Sequence, residues 1–312
     1  MNAAWPALPH DWEPTRATLH MWTQIIGKLR LALSPPQNHY WHSTLYLSAR
    51  GLTTSPMPYG SDLVQIDFDF VDHQLLIETS SGARQRIGLE SKSVADFYTE
   101  IMASLRALRI EVALYARPVE IAQPIPFTKD RVHADYDAAA VQAFWRALIQ
   151  ADRVFKQFRG RFLGKSSPVH FFWGGFDLAV TRFSGRRAPM WSGTVVNVHP
   201  HVMHASYSHE VSSAGFWVGS GAPPMFYSYA VPEPSGFRDA ATRPPETTYS
   251  PEMGEFLLPY EVVRTSEQPD ETLHSFLETT YAAAADLGNW DRVLLEQPSP
   301  CQCDPAPDWS PP

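Results

Sequence analysis

Four stretches of the chain carry apolar side chains at intervals of three and four residues, which is the spacing of an amphipathic helix. Pro35 and Pro36 end the first stretch, and Ser93 is a candidate N-cap of the second, with Asp96 three residues further on. The last stretch opens with Pro269 and two acidic residues, which suit a helix N-terminus. We therefore predict helices over residues 15–33, 93–110, 136–162 and 269–295.

The segments between these helices alternate apolar and polar positions, as strands with one buried face do. The alternation is strict in residues 63–71, and residues 167–185 have the pattern of one long strand. Residues 219–253 are rich in Gly, Pro and Ser, so most of this segment is predicted to be a long loop. The remaining predicted strands cover 39–52, 73–80, 84–90, 110–121, 215–219, 225–234 and 254–264.

The same order of helix, antiparallel strands and helix occurs twice. The segment that begins at His39 aligns without a gap with the segment that begins at His170, and the apolar positions match. This pattern predicts an α+β fold with an internal duplication. The predicted parts are an N-terminal half (1–130), a C-terminal half with the site (131–297) and a disordered Pro-rich tail (298–312).

Composition narrows the class of protein. The net charge is −8 and no long basic run occurs, which argues against nucleic-acid binding. We find no signal peptide or membrane span, and the two cysteines, Cys301 and Cys303, both lie in the tail, so we expect a cytoplasmic protein without a disulfide framework. The 10 Trp, 12 Tyr and 17 Phe residues predict either an aromatic core or an aromatic-lined pocket.

Charged residues interrupt the apolar strand pattern of residues 167–185. Asp177 and Arg182 need partners or a cavity, and regular pairing puts them on opposite faces. Arg187 follows in a turn, where an arginine can bind a carboxylate or phosphate. A structural Asp–Arg pair and a solvated turn are the alternative. His170 and Trp173, at the start of the strand, join the candidate site.

Four histidines lie within residues 199–210. His199 and His201 would share one face of a strand and could bind zinc or iron with a third ligand. The third ligand could be His209, His204, Glu210 or His170. Pro200 stands between the first two and favours an edge or a loop, so a polar surface loop is the alternative.

His209 and Glu210 precede a run of small residues, and a histidine near a carboxylate can act as a general acid or base. The two side chains point to opposite faces of a regular strand. The predicted pocket has aromatic walls formed by Trp173, Tyr207, Phe216, Trp217 and Tyr227.

Several long segments together resemble a bacterial family that is known only as a domain of unknown function. They are SPVHFFWGGFDLAVTRFSGRRAP, YSHEVSSAGFW, FYSYAVPEP and FLLPYEVVR, with a closing NWDR. The resemblance extends from about residue 5 to 297. It implies a bacterial cytosolic protein and supplies no activity or catalytic residue.

Three functions are compatible with the sequence. The first is an enzyme for a small anionic molecule, with His209 as acid/base, Glu210 or Asp177 orienting it and Arg182 or Arg187 binding the anion, with or without a metal. The second is a non-catalytic binding module for an aromatic or lipid-like molecule. The third is a protein-interaction module that uses the loop 219–253 and the tail.

Overall fold

The computed structural model describes residues 5–297. Four long helices confirm the predicted ones, and Ser93 caps the second as predicted, because its Oγ accepts a hydrogen bond of 3.1 Å from the Asp96 amide. The last helix is shorter than predicted, since it ends at Leu287 and a separate short helix follows. The helices are α1 (Glu13–Leu33), α2 (Val94–Ala107), α3 (Ala138–Gly160), α4 (Pro200–Ser206), α5 (Tyr260–Thr265), α6 (Pro269–Leu287) and α7 (Arg292–Leu295).

The first sheet is an antiparallel meander between α1 and α2. Its strands are β1 (Tyr46–Leu47), β2 (Gly51–Thr53), β3 (Met57–Tyr59), β4 (Asp62–Asp69), β5 (Gln74–Thr79) and β6 (Arg84–Gly88). They lie in the order β1-β2-β4-β5-β6, and β3 pairs with β4. The predicted strand 39–52 is wrong in its first part, because residues 38–43 form a 3-10 helix in which His39 and Tyr40 have positive φ. The predicted strand 110–121 is irregular.

The second sheet is also an antiparallel meander, in the order β7-β8-β9-β10-β12-β11. Its strands are β7 (His170–Phe172), β8 (Asp177–Arg187), β9 (His209–Trp217), β10 (Met225–Val231), β11 (Thr248–Ser250) and β12 (Glu255–Pro259). Two predictions were wrong here. Residues 167–185 form a hairpin rather than one strand, because the chain turns at Gly174 and Gly175. Beyond Pro259 the chain is helical, in α5.

Helix α1 lies in the centre of the molecule. Fifteen of its 21 residues are buried, so it is covered on nearly all sides rather than on one stripe. One hydrophobic core includes residues of both sheets. Leu45 and Phe171 also join the sheets, since each amide donates a hydrogen bond to the other residue's carbonyl oxygen, at 2.9 and 2.7 Å.

Helices and two antiparallel sheets confirm the predicted α+β class. The order of helix, meander and helix occurs twice, which is compatible with a duplication; the duplication and the boundary near residue 130 stay predictions. The tail with Cys301 and Cys303 lies outside the described residues. Within residues 5–297, no helix combines the length and apolar character that a membrane crossing requires.

Candidate active site

One face of the second sheet borders a cavity, and the other packs on helices. Alternate residues of β8, starting with Asp177, face the cavity, whereas Arg182 on the opposite face reaches the helix layer at Phe158 of α3 and Tyr281 of α6. The side chains therefore alternate as predicted, and the cavity receives the odd-numbered residues of the central strands.

The cavity has two adjacent chambers. The lysine chamber has a volume of about 540 Å³ and lies beneath α1, residues 38–43 and the segment 195–207. The acidic chamber has a volume of about 750 Å³ and extends toward β12. Both volumes are in the range of small-molecule sites. The chambers share six residues, namely Glu120, Gly175, Asp177, Tyr207, Tyr227 and Tyr229.

Two carboxyl groups converge on the turn between β7 and β8. A side chain on Gly174 would overlap the Glu120 carboxyl group. A Cβ on Gly175 would lie 2.7 Å from Asp177 Oδ1 and 3.6 Å from Glu120 Oε2. The two glycines therefore leave the space in which the two carboxyl groups approach each other.

The turn and the segment that carries Glu120 are both held by α1. His20 Nε2 lies 3.1 Å from the Trp173 carbonyl oxygen and 2.9 Å from that of Gly174. The Gln24 side chain donates to the Val119 carbonyl oxygen and accepts from the Val119 amide, both at 2.8 Å. Glu120 itself has φ of 58°, which a non-glycine residue adopts only when its surroundings enforce it.

Tyr227 is the hydrogen-bond partner of Asp177. Its hydroxyl donates to Asp177 Oδ2, and its ring lies across Gly215 on the strand between them. Beside it, the Tyr207 and Tyr229 hydroxyls lie 2.8 Å apart. Tyrosines near carboxyl groups give this wall hydrogen-bonding groups on an otherwise apolar surface.

Three carboxyl groups of the cavity are poised to exchange protons near neutral pH. Burial raises the pKa of Asp177 to about 6, although the Tyr227 hydrogen bond opposes this shift. Burial and then the charge of Asp177 raise the pKa values of Glu120 and Glu255 to about 7. Glu120 is open to the cavity, yet the surrounding protein atoms desolvate it. Among the described residues, no basic group lies within 4.0 Å of any of the three.

Five of the predicted catalytic and substrate-binding residues line the cavity. Asp177 is the only one of them that was predicted to be catalytic, and the other four were predicted walls. Trp173 is fixed by a hydrogen bond of 2.5 Å from its Nε1 to the Ser43 carbonyl oxygen. The five residues are Trp173, Asp177, Tyr207, Trp217 and Tyr227.

Three predicted residues lie on the helix side of the sheet. Arg182 is 1% exposed, and its guanidinium carbon lies 3.3 Å from the centroid of the Phe158 ring. Glu210 forms an ion pair of 2.7 Å with Arg186. Phe216 is buried in the core. The structure therefore does not bring these three to the cavity. Arg187 lies exposed at the end of β8.

The predicted catalytic histidines do not line the cavity either. His170 is fully buried among aromatic side chains, its ring nitrogens make no hydrogen bond, and burial lowers its pKa to about 3. His209 lies at the start of β9, with its ring centroid 5.8 Å from that of His39. It is opposite Arg187 in the strand register and points away from Glu210.

The predicted strand geometry at His199 and His201 is wrong. Pro200 begins the short helix α4, and His199 is its N-cap. The Nδ1 atoms of His199 and His201 lie 2.5 Å apart, and only His199 lines the lysine chamber. Within residues 5–297, no three His, Cys, Asp or Glu side chains are arranged to hold a metal ion.

Sequence reasoning missed Lys28, Glu120, Tyr229 and Glu255. Alternation along β10 and β12 is a signal for Tyr229 and Glu255, since Tyr229 follows Tyr227 on the same face. Glu120 lies in an irregular segment, where no periodicity indicates what it faces.

Comparison with known proteins assigns a family. The model of a family of unknown function, DUF5996, matches residues 5–297, so the chain belongs to this family. Neither the curated proteins nor the solved structures contain a match to this chain.

Proposed function

We propose that the protein is an enzyme that acts on a small molecule in the two chambers, with Asp177 and Glu120 as its general acid and base. The observation that carries the proposal is their convergence on the turn at Gly175, at the junction of the two chambers. General acid–base catalysis needs proton-exchanging groups with pKa values near the working pH, in reach of one bound molecule.

The backbone around the chambers supports a catalytic role. Four residues with positive φ line the lysine chamber, out of nine such non-glycine residues in the described chain. Strained backbone often accompanies active sites. The four are His39, Tyr40, Glu120 and Asn197.

The lining also bears on the charge of the ligand. The acidic chamber has Glu120, Asp177, Glu233 and Glu255 on its walls and no Lys, Arg or His. Arg182 and Arg187 do not reach it. We therefore propose a substrate that is neutral or positively charged where it enters this chamber, instead of the anion that the sequence suggested. His209 has no role in this proposal, because it lies outside both chambers.

A non-catalytic binding module is the second candidate. Its support is the aromatic lining, which includes Trp191 stacked on Tyr207 at 4.6 Å between ring centroids. The segment 219–253 supplies walls of the acidic chamber at Ala222, Pro223, Glu233 and Met253, which favours a role at the ligand site over partner docking.

Mass spectrometry of a microbial metabolite extract incubated with the protein tests the enzyme proposal. Compounds that the wild type consumes should be converted about 100-fold more slowly or not at all by Asp177→Asn and Glu120→Gln. Asp11→Asn and Glu267→Gln make the same changes at exposed sites and should convert them normally. Normal conversion by Asp177→Asn would refute the assignment, and binding without conversion would favour the second candidate.

A further inference from the structure

Three polar residues at intervals of four lie along α1 and face the cavity side of the molecule. The first two, His20 and Gln24, are bound to backbone groups of the turn at Gly174 and of Val119. The third is Lys28. It is the one member of this row without a hydrogen bond or ion pair to any residue that the structure describes.

Lys28 is nevertheless buried. Its residue is 8% exposed and its side chain lines the lysine chamber. Nζ lies 5.6 Å from the centroids of both the Tyr115 and the Trp173 rings. Burial lowers the pKa of Lys28 to about 8, so a substantial fraction of the amine is neutral near physiological pH.

A buried lysine without a partner can bind an anion, support the aromatic wall or act as a nucleophile. Anion binding fits poorly, because Glu120 and Asp177 line the same chamber and would repel a negatively charged ligand. If Lys28 only supported the aromatic wall, its side chain would not need to line a chamber. A nucleophilic amine fits both the apolar surroundings and the access to the cavity.

We propose that Lys28 forms an imine with a carbonyl group of the bound molecule. This inference rests on the proposed function of the same cavity and narrows its substrate class to aldehydes and ketones.

The reaction is an addition followed by loss of water. The neutral Lys28 amine forms the C–N bond, and the carbonyl electron pair moves to oxygen, which takes a proton. The amine nitrogen gives up one proton, and the hydroxyl group takes up a second proton and leaves as water as the C=N bond forms. The resulting iminium then loses its remaining N–H proton to give the imine. Glu120 and Asp177 line the same chamber and can supply and recover these protons. One water molecule leaves, and no oxidant or reductant is needed.

Reductive trapping of the whole protein tests the inference. The protein is incubated with butanal, a neutral aldehyde, and cyanoborohydride at pH 7.5, and the labelled lysines are mapped by peptide mass spectrometry. The chain has only five lysines. We expect Lys28 to be alkylated at least about tenfold faster than the exposed Lys129, because burial keeps a substantial fraction of the Lys28 amine neutral. The rate at Lys28 should level off above about pH 8.

Lys28→Arg preserves the positive charge near both rings and should remove the fast site without a large change in melting temperature. Labelling of Lys28 at the rate of Lys129 or below would overturn the inference, whether the cause is poor access or a fully protonated amine. This readout does not depend on turnover. It can therefore fail while Asp177→Asn still abolishes conversion of a substrate, and it can succeed when no conversion is found.

Discussion

Tyr227 on β10 donates a hydrogen bond to Asp177 on β8 by reaching across β9, the strand between them. Gly215 makes this possible, because a Cβ at this position would overlap the Tyr227 ring and lie 2.6 Å from the Leu178 carbonyl oxygen. Gly215, the last of the small residues that precede Phe216 in the sequence, therefore leaves the space that the Tyr227 ring occupies.

Gly215→Ala should destabilise the fold by about 1–3 kcal/mol, because either the Tyr227 ring or the strand must shift. Gly160→Ala is the matched control, since nothing lies within 4 Å of the added methyl group and alanine favours a helix. Urea unfolding of both variants measures the difference. Equal stability of Gly215→Ala and the wild type would contradict the close approach of Tyr227.

Tyr227→Phe should raise the pKa of Asp177 above its value of about 6, because the hydrogen bond favours the ionised carboxylate. Tyr229→Phe should have a smaller effect, since that hydroxyl pairs with Tyr207. Carbon-13 NMR titration of the carboxyl groups, assigned with Asp177→Asn, measures the pKa. An unchanged value in Tyr227→Phe would contradict the effect of this hydrogen bond on the pKa of Asp177.

Arg182→Met should cost about 3 kcal/mol or more of stability. The change removes a hydrogen bond to the Phe158 carbonyl oxygen and leaves the nearby Glu278 without its closest buried cation. Arg187→Met, on an exposed side chain, should change stability by no more than about 0.5 kcal/mol. The free energy of unfolding in urea tests both. A larger loss of stability in Arg187→Met than in Arg182→Met would contradict the assignment of Arg182 as the buried structural arginine and of Arg187 as an exposed one.

His170→Phe should make the protein more resistant to mild acid. The pKa of His170 is lowered from 6.5 to about 3 in the fold, so the unfolded chain takes up a proton that the folded chain excludes. The neutral, buried His170 therefore contributes fully to the free energy of unfolding above pH 6.5. This contribution is lost as the pH falls from 6.5 toward 3, at about 1.4 kcal/mol per pH unit.

In denaturant titrations, the free energy of unfolding of His170→Phe should fall less steeply than that of the wild type between pH 6.5 and 4. Its stability should keep the wild-type pH dependence above pH 7, where the histidine is neutral. An unchanged slope in acid would mean that His170 is already charged in the folded protein.

Local pattern was enough to predict the long helices and the α+β class, because each depends on a periodicity within one segment. It also put Asp177 and Arg182 on opposite faces. It failed at the turn of Gly174 and Gly175, since the apolar side chains on both sides of the turn are buried and read as one continuous strand.

Three of the five cavity residues that were predicted correctly, namely Asp177, Trp217 and Tyr227, lie on strands. Trp217 and Tyr227 follow from alternation, whereas Glu120 reaches the cavity from an irregular segment that Gln24 and the Val196 carbonyl oxygen hold in place. The sequence places Lys28 on the polar face of an amphipathic helix, where a lysine is expected to be exposed. Only tertiary packing reveals that α1 is buried on nearly all sides. The histidine pattern was misleading because a helix, and not a strand, begins at Pro200, with His199 as its N-cap.

Affinity selection with a cavity-filling variant tests the central claim that the two chambers are the ligand site. The wild type, Arg187→Met and Ala179→Phe, which places a ring in the lysine chamber, are each incubated with the same metabolite extract, filtered and analysed by mass spectrometry after denaturation. We predict that the wild type and Arg187→Met retain the same compounds and that folded Ala179→Phe loses them. Equal retention by folded Ala179→Phe, or no retained compound with any protein, would contradict the account.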